Sequence, residues 1–181
     1  MKDTGVTRRI DELGRIVIPR ELRKVFRIKE GDALEFYSNK EEIILKKYSP
    51  IAAITDGAKM VAEGIYELME KPCVVVDKDQ VIYAVGEKTK ELIGERISDQ
   101  TLDALCERKS LILSRSDGGK VLPIIDNAEN VMENQILIPV MSCGDVYGGI
   151  IVYDTDKEAR FNSNDVKVVS LGASIMAKKF E

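Results

Sequence analysis

The chain has 181 residues, of which 44% are hydrophobic and 32% charged, and its net charge at neutral pH is −4. This composition is typical of a folded protein and excludes an intrinsically disordered one. No apolar run reaches the roughly 20 residues that a bilayer-spanning helix needs, and the N-terminus lacks the apolar segment of a secretory signal. We therefore expect a cytoplasmic protein that makes no contact with membranes.

The chain contains no histidine, and its three cysteines, Cys73, Cys106 and Cys143, are far apart in the sequence. Without histidine, the commonest general base and the commonest metal ligand are both missing. An odd number of scattered cysteines argues against a disulfide framework. The sequence therefore predicts no catalytic residues, no metal and no cofactor.

The charge is distributed unevenly along the chain. Residues 1–50 carry 12 basic and 9 acidic side chains, whereas residues 51–181 carry 15 basic and 22 acidic ones. A basic N-terminal region on an acidic body indicates that a polyanionic partner would bind the N-terminal region alone.

Short strands and one short helix are predicted at the N-terminus. Residues 5–10 and 15–18 fit two strands around a turn that contains Gly14. Pro19 cannot donate to a sheet but suits the first turn of a helix, so a helix is predicted over residues 19–26.

A second hairpin follows in the same unit. Residues 34–37 and 43–45 are predicted strands, and the turn between them contains Asn39 and Lys40. The whole unit has only about 50 residues and lacks a disulfide or metal motif, so a single copy would have a marginal core. We therefore expect an obligate dimer with interleaved hairpins.

Two long helices are predicted further along the chain. Ser49 can cap the first, which begins at Pro50 and ends before Pro72, while Asn162 can cap the second with Asp165 three residues later. Both helices carry apolar residues at alternating spacings of three and four, as in a heptad pattern. This helix seam consists of Ile51, Ile54, Ala58, Val61, Ile65 and Leu68 in the first helix, and Val166, Val169, Ala173, Met176 and Phe180 in the second.

The helix seam has two interpretations. Each helix can cover the sheet of its own chain, or two helices from each of two chains can pair in a four-helix interface. The regular spacing favours the second interpretation, in which the seam residues lie at an interface between chains.

The segment between these helices is rich in predicted strands. These occupy residues 73–77, 80–85, 121–125, 135–140 and 146–153. Residues 88–109 are predicted to be helical with a break near Gly94, and Cys143 to Asp145 form the last hairpin turn. We expect an antiparallel sheet with helices before, within and after it, which is an α+β domain. The predicted boundaries are residues 1–49, 50–71 and 72–181.

Two arginines occupy unexpected positions in the first hairpin. Strict strand alternation places Arg8 on one face with Ile10, and Arg15 on one face with Val17. Charge on an apolar face often marks function, although an edge strand or a bulge would also let both side chains reach solvent. The planar guanidinium group suits phosphates and the edge of guanine.

Residues 4–48 resemble the swapped-hairpin DNA-binding domain of the AbrB family of transition-state regulators. The resemblance rests on the specific motif Asp-Glu-Leu-Gly-Arg-x-Val-Ile-Pro-x-Glu-Leu-Arg, which begins at Asp11. It implies that two chains interleave their hairpins into one dimeric barrel that binds double-stranded DNA. The positions that match the family's DNA-contacting residues are Arg8, Arg15, Arg23 and Lys24, and we add Arg9 and Arg20 for their charge and proximity. Position 24 is often arginine in that family, and lysine keeps the charge but loses the fork.

Residues 135–140 and 144–151 resemble a GAF regulatory domain. The predicted fold is therefore two domains, a mostly-β swapped-hairpin dimeric barrel and an α+β GAF-like domain flanked by long helices. The complete arrangement resembles a family of tetrameric sporulation regulators. This resemblance implies a sequence-specific regulator, bound to the forespore nucleoid, that activates and represses late sporulation genes, with a small molecule in the GAF-like domain as a possible effector.

Two functions from other classes stay open. An antitoxin with the same N-terminal domain would also bind DNA, but such proteins usually carry a short disordered tail rather than about 130 folded residues. A GAF-type methionine sulfoxide reductase would use the cysteines, although Cys73 opens an apolar strand and is expected in the core.

Overall fold

The computed structural model describes residues 5–126 and 131–180. The chain divides into two compact units between Tyr48 and Ser49. Their described parts are here called the head, residues 5–48, and the body, residues 49–126 and 131–180. Within these residues, no helix combines the length and the apolar character that crossing a bilayer would require.

The head contains one short helix and one hairpin. Helix α1 spans Arg20–Val25, one residue shorter at each end than the predicted helix over residues 19–26, because Pro19 and Phe26 are its caps. Strands β1 (Leu34–Asn39) and β2 (Glu42–Lys47) pair antiparallel, and the hairpin turns at residues 40 and 41. The second predicted hairpin is thus confirmed.

The two strands predicted at residues 5–10 and 15–18 do not form in a single chain. The turn between them does form, because the amide of Gly14 donates to the carbonyl of Asp11 at 2.9 Å, and Gly14 has a φ of +76°. The amide of Asp11 also donates to the carbonyl of Arg15 at 3.0 Å, which makes the first rung of a ladder. An isolated two-stranded hairpin is marginally stable, so these segments need further strands beside them.

The head of one chain has no hydrophobic core. Pro19 is the one buried residue among the described residues of the head. Large apolar side chains on every element are exposed to solvent instead, among them Ile10, Leu13, Val17, Val25, Phe26, Phe36 and Ile43. A second chain or another partner must cover this surface if the head is to be stable.

The body is built on one five-stranded antiparallel sheet. Its strands are β3 (Cys73–Asp77), β4 (Val81–Val85), β5 (Leu111–Ser114), β6 (Asn134–Ser142) and β7 (Asp145–Asp154). Their order across the sheet is β4-β3-β7-β6-β5. Four of the five predicted body strands are confirmed by this arrangement.

The strand predicted at residues 121–125 is wrong, and β5 takes its place at the edge of the sheet. Side chains from the body hold this irregular segment. The Ser98 hydroxyl donates to the carbonyl of Pro123, and the amide group of Gln135 exchanges two hydrogen bonds with the backbone of Leu122, at 2.9 and 3.0 Å. Backbone pairing is limited to a single antiparallel bridge between Ile97 and Ile125, because proline cannot donate to a longer ladder.

The first long helix is interrupted. It divides into α2 (Pro50–Ala53) and α3 (Thr55–Met69), and the break lies at Ile54. The Ser49 hydroxyl accepts a hydrogen bond from the amide of Ala52, which confirms the predicted N-cap. The last helix, α5 (Ser163–Ala177), begins with the capping box predicted from Asn162 and Asp165. The helix predicted over residues 88–109 shortens to α4 (Asp99–Cys106), preceded by a single 3₁₀ turn.

The sheet separates two hydrophobic clusters. Helices α2, α3 and α5 cover one face, where Ile51, Ile65 and Met176 are almost fully buried. Helix α4 and the segment around Ile124 cover the other face, with Leu105 at the centre. The body therefore has a two-sided core of its own, unlike the head.

Candidate nucleic-acid interface

All six basic residues that the sequence singled out lie exposed in the head. Arg20, Arg23 and Lys24 belong to α1, and their spacing of three and four residues places them on one side of this helix. Arg8 and Arg9 precede the turn at residues 11–15, and Arg15 closes it. The structure thus brings three of the six together on one helix face, with the other three on either side of a tight turn.

A carboxylate organises that turn. Asp11 Oδ1 accepts hydrogen bonds from the amides of Leu13, at 3.0 Å, and Arg15, at 2.8 Å. Asp11 Oδ2 accepts a third bond, from Arg15 Nε at 2.8 Å. The backbone and side-chain bonds from Arg15 lower the pKa of Asp11, so this carboxylate is charged at neutral pH.

Asp11 was not singled out as a functional residue by the sequence. The signal was available, because aspartate is favoured at the first position of a type I turn and glycine at the fourth. Asp11 and Gly14 occupy those positions, and a three-residue hairpin loop that ends in a left-handed glycine is a common connection.

The helix seam packs mainly on the sheet of its own chain. Its buried members are Ile51, Ala58, Ile65, Val169, Ala173 and Met176. These side chains are at most 4% exposed, so they leave no surface for a second chain. The expectation that the complete seam lies between chains is corrected for these six, because heptad spacing places residues on one helix face without selecting what that face covers. Four more members, Ile54, Val61, Val166 and Phe180, are half-buried against the same core.

A different set of apolar side chains is exposed on the same two helices. Met60 and Leu68 of α3 are 74% and 75% exposed, and Leu171 and Ile175 of α5 are 63% and 49% exposed. We call these four residues the outer helix face. Helices α3 and α5 contact each other at Gly172, where an added Cβ would lie 2.8 Å from the Ile65 side chain. Of these four residues, only Leu68 belongs to the helix seam that the sequence analysis placed at an interface.

The cysteines differ in their environments. Cys73 is fully buried in the sheet, and this burial raises the pKa of its thiol to about 12. Cys106 and Cys143 are exposed. Among the described residues, no group of three cysteine, aspartate or glutamate side chains could hold a metal ion.

A small cavity lies where α5 begins and β6 and β7 meet. It has a volume of about 70 Å³, and its lining includes Lys71, Asn134, Asp154 and Phe161. Drug-sized ligands generally occupy pockets of about 300 Å³ or more. This cavity is therefore too small for a metabolite of nucleotide size.

Comparison with known proteins places both parts of the chain. Residues 53–181 match the family model described as "Stage V sporulation protein T C-terminal, transcription factor", and residues 7–53 match that described as "Antidote-toxin recognition MazE, bacterial antitoxin". Stage V sporulation protein T of Bacillus subtilis is 32% identical over 182 residues, which cover 100% of this chain and 99% of that protein. The transition state regulatory protein AbrB of the same organism is 62% identical over 50 residues, which cover 28% of this chain and 52% of AbrB.

The body has the fold of a GAF domain. The GAF domain of an Acinetobacter phosphoenolpyruvate-protein phosphotransferase superposes with a TM-score of 0.57 at 12% identity, covering 73% of this chain and 82% of that domain. At this identity the likeness concerns the fold alone. The sequence likeness, in contrast, extends over the full length of the chain. The protein belongs to the family of stage V sporulation protein T transcription factors.

Proposed function

We propose that this protein is a sequence-specific DNA-binding regulator of transcription whose head reads duplex DNA as a dimer. The observation that carries the proposal is the set of exposed basic side chains on the turn and on α1, within a segment 62% identical to AbrB. Side chains of this kind neutralise phosphates and reach base edges.

The basic residues divide into two groups by their expected contribution. Arg8, Arg15, Arg23 and Lys24 are proposed to contact DNA directly, and Arg15 is favoured for base contacts because Asp11 holds its guanidinium group. Arg9 and Arg20 are proposed to raise affinity through their charge. Phosphate contacts supply affinity for any sequence, so binding should weaken steeply as salt is added.

A head dimer follows from the exposed apolar surface of a single head. Two heads that interleave residues 5–10 and 15–18 would complete a sheet and bury side chains such as Ile10 and Val17, which are 66% and 72% exposed in one chain. The gain would be about 1.5 to 3 kcal/mol for each large side chain that becomes fully buried. The two-fold symmetry of such a dimer would match a palindromic site.

A second contact is proposed at the outer helix face. Its four apolar side chains lie on α3 and α5 in the body, whereas the proposed head dimer uses side chains of the head. If two bodies paired through this face in a four-helix bundle while heads paired with a different chain, a closed homotetramer would form. We propose that residues 1–49 bind DNA, that residues 50–71 form a connecting helix, and that residues 72–181 have a regulatory role.

A role in late sporulation is supported by the full-length relative, stage V sporulation protein T. We propose that the protein activates some late sporulation genes and represses others, bound to the forespore nucleoid. The further proposal of a small-molecule effector in the body rests on analogy with the GAF fold alone.

Salt titration of binding to duplex DNA tests the proposal. The full chain should show a steep slope of log affinity against log salt, and Arg23→Ala on α1 should reduce that slope by about 0.9 for each copy that contacts a phosphate. Lys40→Ala, at the β1–β2 turn, removes the same charge from the same head and serves as the control. Absence of binding to any duplex at low salt would overturn the proposal.

An antitoxin is the second candidate, because residues 7–53 match the MazE model. The body argues against it, since its 15-residue terminal helix and two-sided core leave no resemblance to a short disordered tail. Purification at native levels discriminates the two functions. A toxin bound at fixed stoichiometry, whose activity the chain neutralises, would favour the antitoxin.

A reductase has weaker support. Cys73 is buried and its pKa is raised to about 12, so its thiolate is scarce at neutral pH. Cys106 and Cys143 are the accessible thiols. Turnover of free methionine sulfoxide that disappears in Cys106→Ser or Cys143→Ser would support an enzyme.

A further inference from the structure

Asp11 and Arg15 form a unit whose geometry is complete within one chain. Three hydrogen bonds, two from backbone amides and one from Arg15 Nε, converge on one carboxylate within five consecutive residues. All the groups involved belong to the turn itself. The orientation of Arg15 is therefore set locally, whichever way two heads associate.

The hydrogen bond to Asp11 uses only one part of the Arg15 guanidinium group, and this determines which donors remain available for DNA. Nε–H points to Asp11 Oδ2 at 2.8 Å, which leaves the terminal edge of Arg15 with its Nη1 and Nη2 donors. Guanine presents O6 and N7 as a pair of acceptors in the major groove, and two parallel donors match them. Because Asp11 already restricts the side chain, less conformational freedom is lost when Arg15 pairs with a base.

The same carboxylate acts against contacts with the DNA backbone. Asp11 keeps 42% of its side-chain surface exposed, and its negative charge beside Arg15 offsets the attraction of that arginine for a phosphate. Phosphate contact requires mainly charge, whereas base contact requires orientation. Asp11 therefore lowers the affinity for any duplex while it preserves the geometry needed for a particular one.

We propose that Asp11 is a specificity-determining residue, which holds Arg15 through Nε so that the terminal guanidinium edge reads a base and contributes little as a free phosphate-binding charge. This role rests on the proposed function, because it presupposes that the head binds DNA. It predicts that losing Asp11 strengthens non-specific binding and weakens specific binding at the same time.

The test compares Asp11→Asn with Glu12→Gln in the full chain. Asparagine keeps an oxygen that can accept from the amides of Leu13 and Arg15 but loses the charge that holds Nε. Glu12 is the adjacent exposed carboxylate, so its change removes the same charge from the same turn. Affinities are measured for a duplex selected from a random pool by the wild-type protein, and for a scrambled duplex.

For Asp11→Asn we expect scrambled-duplex affinity to rise a few-fold and the ratio of selected to scrambled affinity to fall by about tenfold or more. Glu12→Gln should strengthen both affinities equally and leave the ratio unchanged. Arg15→Lys keeps the charge but lacks the planar pair of donors, so it should lower the ratio of selected to scrambled affinity as Asp11→Asn does. An unchanged ratio in Asp11→Asn would overturn the role of Asp11, even though the wild-type protein binds DNA.

A measurement without DNA separates this inference from the proposed function. The Nε–H resonance of Arg15 in a ¹⁵N NMR spectrum of the full chain should show slow solvent exchange in the wild-type protein and fast exchange in Asp11→Asn. Fast exchange in both would overturn the inference on its own. Failure of the wild-type protein to bind any duplex would overturn the proposed function, and with it the DNA-dependent role of Asp11.

Discussion

Lys71 Nζ lies 2.6 Å from Asp154 Oδ2, and this ion pair joins the segment after α3 to the end of β7. The side chain of Asp154 is 9% exposed, whereas that of Lys71 is 37% exposed. The pair thus has one buried member and one that solvent reaches. It connects the helix that follows the head to the central strands of the body.

The pair should make the stability of the body depend on pH. Burial alone would raise the pKa of Asp154, but the hydrogen bond and charge of Lys71 and the amides of Asp156 and Thr155 outweigh it, so the pKa lies below its ordinary value of 3.8. A carboxyl group whose pKa is lowered by folding stabilises the folded state above its unfolded pKa, and the stabilisation is lost as the pH falls through the folded pKa.

We expect Asp154→Asn to destabilise the body by about 1 to 2 kcal/mol at pH 7, since solvent at Lys71 weakens the pair. The stabilities of wild type and variant should converge as the pH falls from 3.8 through the lowered pKa of folded Asp154. Urea unfolding at neutral and at acid pH, followed by circular dichroism, measures the difference. An equal loss of unfolding free energy at both pH values would show that the ionised carboxylate of Asp154 does not contribute to stability.

Gly148 in β7 should tolerate no side chain. An added Cβ would lie 2.0 Å from the carbonyl oxygen of Val76 and 2.6 Å from Ile51 Cδ1, and the carbonyl belongs to the neighbouring strand. We expect Gly148→Ala to cost about 3 kcal/mol, because the backbone must shift. Gly57→Ala in α3 is the control, since its Cβ would meet Ile54 at 3.9 Å, and it should stabilise the helix by up to about 1 kcal/mol. Equal melting temperatures for the two variants would refute this packing.

The outer helix face should control assembly without affecting the fold of the body. Leu68→Glu and Leu171→Glu are expected to convert tetramers to dimers with little change in the unfolding free energy, because both side chains are exposed in one chain. The contrasting variant is Ile65→Ala, which leaves a cavity in the core and should lower the unfolding free energy by about 2 to 5 kcal/mol. Light scattering coupled to size exclusion gives the mass of each. A tetramer that survives both glutamates would remove this face from the interface.

The head should melt in a concentration-dependent transition, separate from that of the body. Phe36 and Ile43 are 70% and 71% exposed in one chain, so their burial requires a second chain. We expect calorimetry to show the head transition shifting upward with protein concentration, while the body transition moves little. Val17→Asp should abolish the head transition and DNA binding together. A head that melts independently of concentration would indicate that a single chain is sufficient.

Several local features could be predicted because they depend on neighbours within a few residues. The Ser49 cap, the capping box of Asn162 and Asp165, and the turn at Gly14 are examples. The hairpin at Cys143 and Gly144 is another, with φ values of +50° and +86°. Each is closed by hydrogen bonds between residues that lie side by side in the sequence.

Other features depend on distant contacts and could not be read from local patterns. Residues 121–125 have the composition of a strand, but Ser98 and Gln135 take up their backbone groups and β5 pairs with β6 instead. The orientation of Arg15 is an intermediate case. The turn was expected from Gly14, whereas the hold of Asp11 on Nε became evident from the geometry.

Three properties could be predicted without any tertiary contact: a basic N-terminal unit too small for its own core, an α+β body, and capped helices with regular apolar spacing. Those properties follow from composition, charge and local hydrogen bonding. The side of each helix that meets the sheet depends on tertiary packing, which buries Ile65 and leaves Leu68 exposed. A repeat of three and four residues aligns side chains on a helix, but only the packing of α3 and α5 on a particular sheet determines which of them remain available to another chain.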